Sequence, residues 1–204
     1  MKAYTMTRAT HYLTTILDSK MLVHSIGLPA CADLCKCVSR IKPEQTGNLS
    51  ILEIGTHNAV STVALSDLGV VHTIDIMNCK YTEEIVSQSP HANRILRFVG
   101  NDQSRLRSVV ARGLVVVHVA FIDAVHDSPH IYIDFEFASR FTRHIIFHDY
   151  SAHKFPGVYT AINEIAAERK AELQELGNTL VYMKLPAPPP TKFHRELGKA
   201  MTQI

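Results

Sequence analysis

From Leu49 onward the hydrophobic positions follow two alternating rhythms. Short, continuous apolar runs alternate with longer stretches whose apolar residues recur every three or four positions. The first pattern suits strands buried on both faces, and the second suits helices with one buried face. Strands are predicted at residues 49–54, 70–75, 94–99, 115–122 and 145–147. Helices are predicted at 60–68, at 129–140, at 156–168 and, with a weaker pattern, at 81–88. Another is expected after Gly100-Asn101-Asp102, with Leu106, Val109 and Val110 on one side. Strand–helix alternation calls for right-handed crossovers, so the expected fold class is α/β: a doubly wound, Rossmann-like, mostly parallel sheet. The most apolar run, 115–122, belongs at its centre.

Both ends of the chain depart from this rhythm. Residues 172–176 and 179–183 flank Gly177-Asn178 and read as a hairpin that adds a C-terminal antiparallel strand. The alternative for 172–176 is the last turn of the preceding helix. Before the first strand, residues 10–23 have helical spacing that Gly27 and Pro29 stop, and Pro29 can open a second helix through Val38. Three segments follow: an N-terminal helical cap at 1–46, a Rossmann-like domain at 47–185 and a Pro-rich basic tail at 186–204. In the tail a stiff proline run leads to Lys192, His194, Arg195 and Lys199.

Composition narrows the function classes. A chain of 204 residues, 46% hydrophobic and 20% charged, is an ordered globular domain rather than a disordered one. Its formal charge of +2 argues against nucleic acid as a partner. No apolar run approaches the roughly 20 residues of a membrane span. Three of the four cysteines, Cys31, Cys35 and Cys37, are spaced C-x3-C-x-C, which is neither a zinc knuckle nor the usual iron–sulfur run; Cys79 stands apart. Reduced thiols and no recognisable signal peptide make a cytoplasmic setting the expectation. The sheet edge and leading helices allow a homodimer without requiring one.

Ligands of open α/β sheets sit at the carboxyl ends of the strands. Those ends carry Glu53 and Gly55, Asp75, Asn101 and Asp102, Asp123, and His148 with Asp149. Gly55 breaks the first strand into a loop and a helix, and Asp75 ends the next strand 20 residues later. This is the plan of a nucleoside half-site: free helix N–H groups on one side, and a carboxylate for two ribose hydroxyls on the other. The dinucleotide fingerprint G-x-G-x-x-G is absent, since only Gly55 is present. Glu53 would repel a phosphate and suits a cationic ligand, which makes an NAD(P) oxidoreductase the least supported enzyme.

Glu53, Gly55 and Ser61 resemble the first motif of class I S-adenosylmethionine-dependent methyltransferases, E-x-G-x-x-x-G-x-S, with Ala59 in place of the second glycine. Phe121-Ile122-Asp123, His148-Asp149-Tyr150 and Pro156-Gly157-Val158 are similar to the small-molecule O-methyltransferase branch, and the likeness spans about residues 49–184. It implies S-adenosylmethionine bound by Glu53, Gly55, Ser61, Asp75, Asp102 and Asp123, and a small-molecule acceptor. It also implies a site for Mg2+ or another divalent metal at Asp123, His148 and Asp149, with Asp123, His126 and His148 as catalytic residues. Where relatives carry a second acid, this chain has Val125, so His126 or His148 takes the role of general base. Ala59, Ala124 and Val125 keep open a non-catalytic scaffold with a degenerate site. Asp123, His126, His148 and Asp149 keep open a metal-dependent hydrolase. His126 and His130 are spaced i, i+4 but read as a surface pair, because Pro129 between them marks a helix start. No role is assigned to His57.

Overall fold

A computed structural model of the chain describes residues 12–14, 26–41, 49–100, 107–108, 110–112, 116–177 and 179–187. The elements are α1 (Leu28–Val38), β1 (Leu49–Ile54), α2 (Val60–Ser66), β2 (Gly69–Asp75), α3 (Thr82–Ser87) and β3 (Ile95–Val99). They continue with β4 (Val119–Ile122), α4 (Ser128–Ala138), β5 (His144–Phe147), α5 (Pro156–Arg169), β6 (Glu172–Leu176) and β7 (Leu180–Lys184). Residues 107–108 and 110–112 are helical, and Val110 is buried.

The strands form one seven-stranded sheet in the order β3-β2-β1-β4-β5-β7-β6. β1 to β5 pair in parallel, and β7 is antiparallel to both β5 and β6. The doubly wound, mostly parallel sheet expected from the sequence is therefore present. Residues 172–176 are a strand and not a helix end. The hairpin folds back so that its second strand docks on the parallel sheet and its first becomes the edge.

Alternation along each strand feeds two cores. Ile51, Val71, Phe121 and Ile146 face α1, α2 and α3, whose Leu34, Val63 and Ile85 are buried against them. Leu52, Ile54, Ile122 and Phe147 face α4 and α5, which contribute Phe135, Ala138, Val158 and Ile162. Pro129 lies in the first turn of α4 and Pro156 opens α5, where a missing N–H costs nothing. Asp127 caps α4, its carboxylate accepting from the His130 N–H at 3.0 Å.

The central strand is shorter than the apolar run 115–122 suggests. Ladder pairing needs neighbours: Val119 is level with His144, where β5 begins, although β1 runs back two residues further, to Leu49. At His118 the chain leaves the ladder: Ser50 N–H donates to its Nδ1 at 2.9 Å, and Thr142 donates to its carbonyl at 2.9 Å. Of the N-terminal helix expected at 10–23, residues 12–14 are described and helical. Leu13 is fully buried, and the Tyr12 hydroxyl donates to the Ile85 carbonyl at 3.0 Å. The rest of that helix, Asp102, and the tail from residue 188 lie outside the described residues. Among the described residues, no helix is long and apolar enough to cross a membrane. All four cysteines are free thiols, and Cys31, Cys35 and Cys37 are buried along α1.

Candidate active site

A cavity of about 830 Å3 opens where the carboxyl ends of β1, β2, β4 and β5 meet. Its wall is shaped first by Gly55, which holds φ at +100°. A Cβ there would lie 2.0 Å from the Asp123 carbonyl oxygen, so glycine lets the loop after β1 press against the loop after β4. Asp75 fixes the other side of the same loop. Its Oδ2 accepts from the backbone N–H groups of Thr56 at 2.8 Å and His57 at 2.7 Å, and its Oδ1 accepts from Met77 at 3.1 Å. Ala59, just before α2, sits at φ 62°, in the left-handed region that glycine enters freely. The loop therefore keeps the shape a glycine would give it.

Glu53 is fully buried behind this loop and does not line the cavity. Its Oε1 accepts from the Ser61 hydroxyl at 2.6 Å and its Oε2 from Thr62 at 2.5 Å, which ties the end of β1 to the first turn of α2. Burial drives the carboxyl upward; the hydroxyls of Ser61, Thr62 and Thr73 offset only part of that, leaving it at about 7. Ser61, held by Glu53, does reach the cavity, as do Gly55, Asp75 and Asp123.

The ends of β4 and β5 bring four titratable side chains together. His148 Nδ1 lies 3.1 Å from Asp123 Oδ1 and 3.2 Å from Asp149 Oδ2. His126 Nε2 lies 2.8 Å from Asp149 Oδ2 and 3.6 Å from Asp123 Oδ1. Parallel pairing of β4 with β5 makes this possible, because Ile122 faces Phe147 and the residues that follow leave the sheet side by side. Asp149 is held at φ 56°, a left-handed backbone that turns its carboxylate back toward the cluster.

Two negative and two positive groups face one another here. Hydrogen bonds that its ring donates to Asp123 and Asp149 raise the His126 pKa to about 10. Burial lowers His148, but the same carboxylates outweigh it and lift the ring to about 9. Burial pushes both carboxylates up, and the two imidazoles outweigh it, leaving each below its ordinary value. Ligand atoms of Asp123, His148 and Asp149 all lie within 4.8 Å of one another, so these three fit a single ion. The i, i+4 pair is not a joint site: His126 turns to Asp149, while His130 Nδ1 pairs with Asp127 at 2.6 Å.

Several wall residues were not foreseen. Arg107 is ion-paired with Asp134 and donates to the Ile133 carbonyl at 3.1 Å; both members of the pair line the cavity. An acid spaced three residues after Ile131 falls on the buried face of α4, which was the available signal. Lys154, Phe155 and Thr179 also line the cavity from loops, where no periodicity marks them, and the Phe155 ring packs edge-on to His126 at 5.0 Å.

No protein-family model matches the sequence. No curated protein sequence matches it either. Solved structures do. An O-methyltransferase from Bacillus cereus in complex with SAH is 18% identical, with a TM-score of 0.66 over 89% of this chain and 98% of that one. The O-methyltransferase TomG from Streptomyces achromogenes, involved in tomaymycin synthesis and solved with SAM, is 16% identical, with a TM-score of 0.64 over 88% and 96%. A TDP-rhamnose 3'-O-methyltransferase of calicheamicin biosynthesis is 16% identical, with a TM-score of 0.59 over 87% and 91%. The chain has the methyltransferase fold, in the form these O-methyltransferases share.

Proposed function

We propose that the protein is an S-adenosylmethionine-dependent methyltransferase acting on an oxygen of a small molecule. One observation carries the reading: a Gly55–Asp75 half-site and a two-carboxylate, two-imidazole cluster open into the same 830 Å3 cavity. A space of that size suits a nucleoside with a small acceptor beside it. The residues fit the cofactor: Gly55 holds the narrow loop, Asp75 keeps one lone pair, on Oδ1, for a ribose hydroxyl, and no pyrophosphate glycines are present. When bound, S-adenosylmethionine supplies an electrophilic methyl group on a sulfonium.

The chain's own residues then position the partner. Asp123, His148 and Asp149 mark where an acceptor hydroxyl would be held, and His126, half-exposed on the wall, faces the same place; a cation held by the two carboxylates would favour its neutral form, which would then take the hydroxyl's proton. Two carboxylates and an imidazole also suit a divalent cation, with the imidazole tilting preference from magnesium toward manganese, iron or zinc. Such an ion would lower the pKa of the acceptor hydroxyl. Ile26, just before α1, lines the cavity, which supports residues 1–46 as its cap and 47–185 as the cofactor domain. Free thiols fit a reducing, cytoplasmic setting.

Titration calorimetry with S-adenosylmethionine and S-adenosylhomocysteine, with and without Mg2+ or Mn2+, tests the reading. Micromolar binding is expected, and Asp75→Ala is expected to weaken it more than tenfold, about 1.4 kcal/mol. No binding of either compound under any of these conditions overturns it.

A further inference from the structure

At the opposite end of the sheet a second hollow of about 300 Å3 is lined by Arg40, His144, Gln174, Tyr182 and Lys184, with Cys37 among them. Strand register builds it. His144 opens β5, four residues and about 13 Å of extended chain from His148. His144 is paired with Lys184 and Lys184 with Glu172, while Tyr182 is paired with Gln174 in a neighbouring row. Alternation puts all five on the sheet face that α1 covers, and the end of α1 sets Cys37 and Arg40 over them.

The hollow presents donors without a charge to receive them. His144 Nδ1 lies 2.6 Å from the Tyr182 hydroxyl. Burial, with Arg143 and Lys184 nearby, lowers the His144 pKa, so its ring is neutral and one member of the pair donates to the other. Either the ring Nε2–H or the Tyr182 O–H is then left to donate elsewhere. Among the described residues neither Arg40 nor Lys184 forms an ion pair, and no carboxylate lines the hollow. Burial pushes the Cys37 thiol up to about 11, so it adds no anion. The nearest opposing groups are Glu172, beside Lys184 on the edge strand, and the carbonyls that end α1. Those of Cys35, Cys37 and Val38 are already taken by the N–H groups of Ser39, Arg40 and Ile41.

A guanidinium, an ammonium, the spare donor of the imidazole–phenol pair and a side-chain amide around one concavity are complementary to a compact anion. The geometry points to a second ligand site here that takes a tetrahedral oxyanion, either phosphate itself or the phosphoryl group of a larger metabolite. It stands apart from the methyl-transfer cavity and does not depend on that reading.

An amide-resolved NMR titration of the full chain with inorganic phosphate, at constant ionic strength against chloride, tests it. Phosphate is expected to shift signals around Arg40, His144, Gln174, Tyr182 and Lys184. Arg40→Gln and Lys184→Gln are each expected to weaken binding at least fivefold, and Glu172→Gln to strengthen it. All three side chains are exposed, so the variants keep the fold, which circular dichroism checks. S-adenosylmethionine affinity should not change in any of them. A sugar phosphate or mononucleotide that binds the same residues more tightly identifies a phosphoryl metabolite as the ligand; weaker or equal binding identifies phosphate. Absent or scattered shifts, an equal response to chloride, or undiminished binding in both charge variants overturns the site.

Discussion

Gly55 and Ala59 lie four residues apart in one loop and answer to different constraints. Gly55 has no room: any Cβ meets the Asp123 carbonyl, and φ is +100°. Gly55→Ala is therefore expected to lose about 3 kcal/mol or more, measured by urea denaturation, because both strain and backbone displacement act together. Ala59 is strained only in φ, at a cost of about 1 kcal/mol. Replacing it with glycine relieves that strain but loses a buried methyl and adds chain entropy. Ala59→Gly is thus expected to change stability by less than about 1 kcal/mol. A small effect at Gly55 would mean that the two loops are not pressed together.

Elements inherit their ends from single residues in the same way. α4 starts where Asp127 takes the His130 N–H, and this start fixes the direction in which His130 and Asp134 approach the cavity. Asp127→Ala is expected to cost about 1 kcal/mol of stability, with Asp127→Asn losing less, by thermal unfolding. β4 shows the opposite dependence. Its apolar sequence begins before the strand does; β5, which starts at His144, sets where the ladder can begin on that side. The hairpin of β6 and β7 was legible from Gly177-Asn178, yet which strand joins the sheet was not. That choice depends on Val181 and Met183 of β7 packing into the same core as Phe147.

For the whole molecule, the buried acids and imidazoles set how stability follows pH. His126 and His148 have folded values raised to about 10 and 9, so in the cation-free protein their contribution is complete below the ordinary imidazole value of 6.5. It is lost as pH rises through 9 and 10. Glu53 is an acid raised from 4.5 to about 7, so its protonated form is favoured in the fold and that advantage fades as pH rises through 7. Asp123 and Asp149 are lowered, and their contribution is lost only on strong acidification. Stability is expected to decline from pH 5 to pH 10. Glu53→Gln should flatten the portion up to pH 7 and Asp149→Asn the portion above it, both read by chemical denaturation. In the functional assay, Asp149→Ala should abolish cation-dependent turnover and leave S-adenosylmethionine affinity nearly intact. Turnover that a chelator never changes would remove the metal role.

What the sequence determined by itself is local in origin. The strand–helix alternation, the glycine break at Gly55, the acid closing β2 and the proline starts of α4 and α5 each follow from a few consecutive residues and their backbone preferences. The acids at strand ends could likewise be placed on one edge, because parallel strands all present their carboxyl ends there. Tertiary structure decided the rest. Glu53 looked like a ligand contact and instead holds Ser61 and Thr62, since only the packed helix shows which hydroxyls meet it. His126, His148, Asp123 and Asp149 became one cluster because β4 and β5 lie in register, although Asp123 and Asp149 are 26 positions apart. Arg40, His144 and Lys184 met for the same reason. Contacts between distant positions depend on register and packing, and no periodicity along a single segment carries that information.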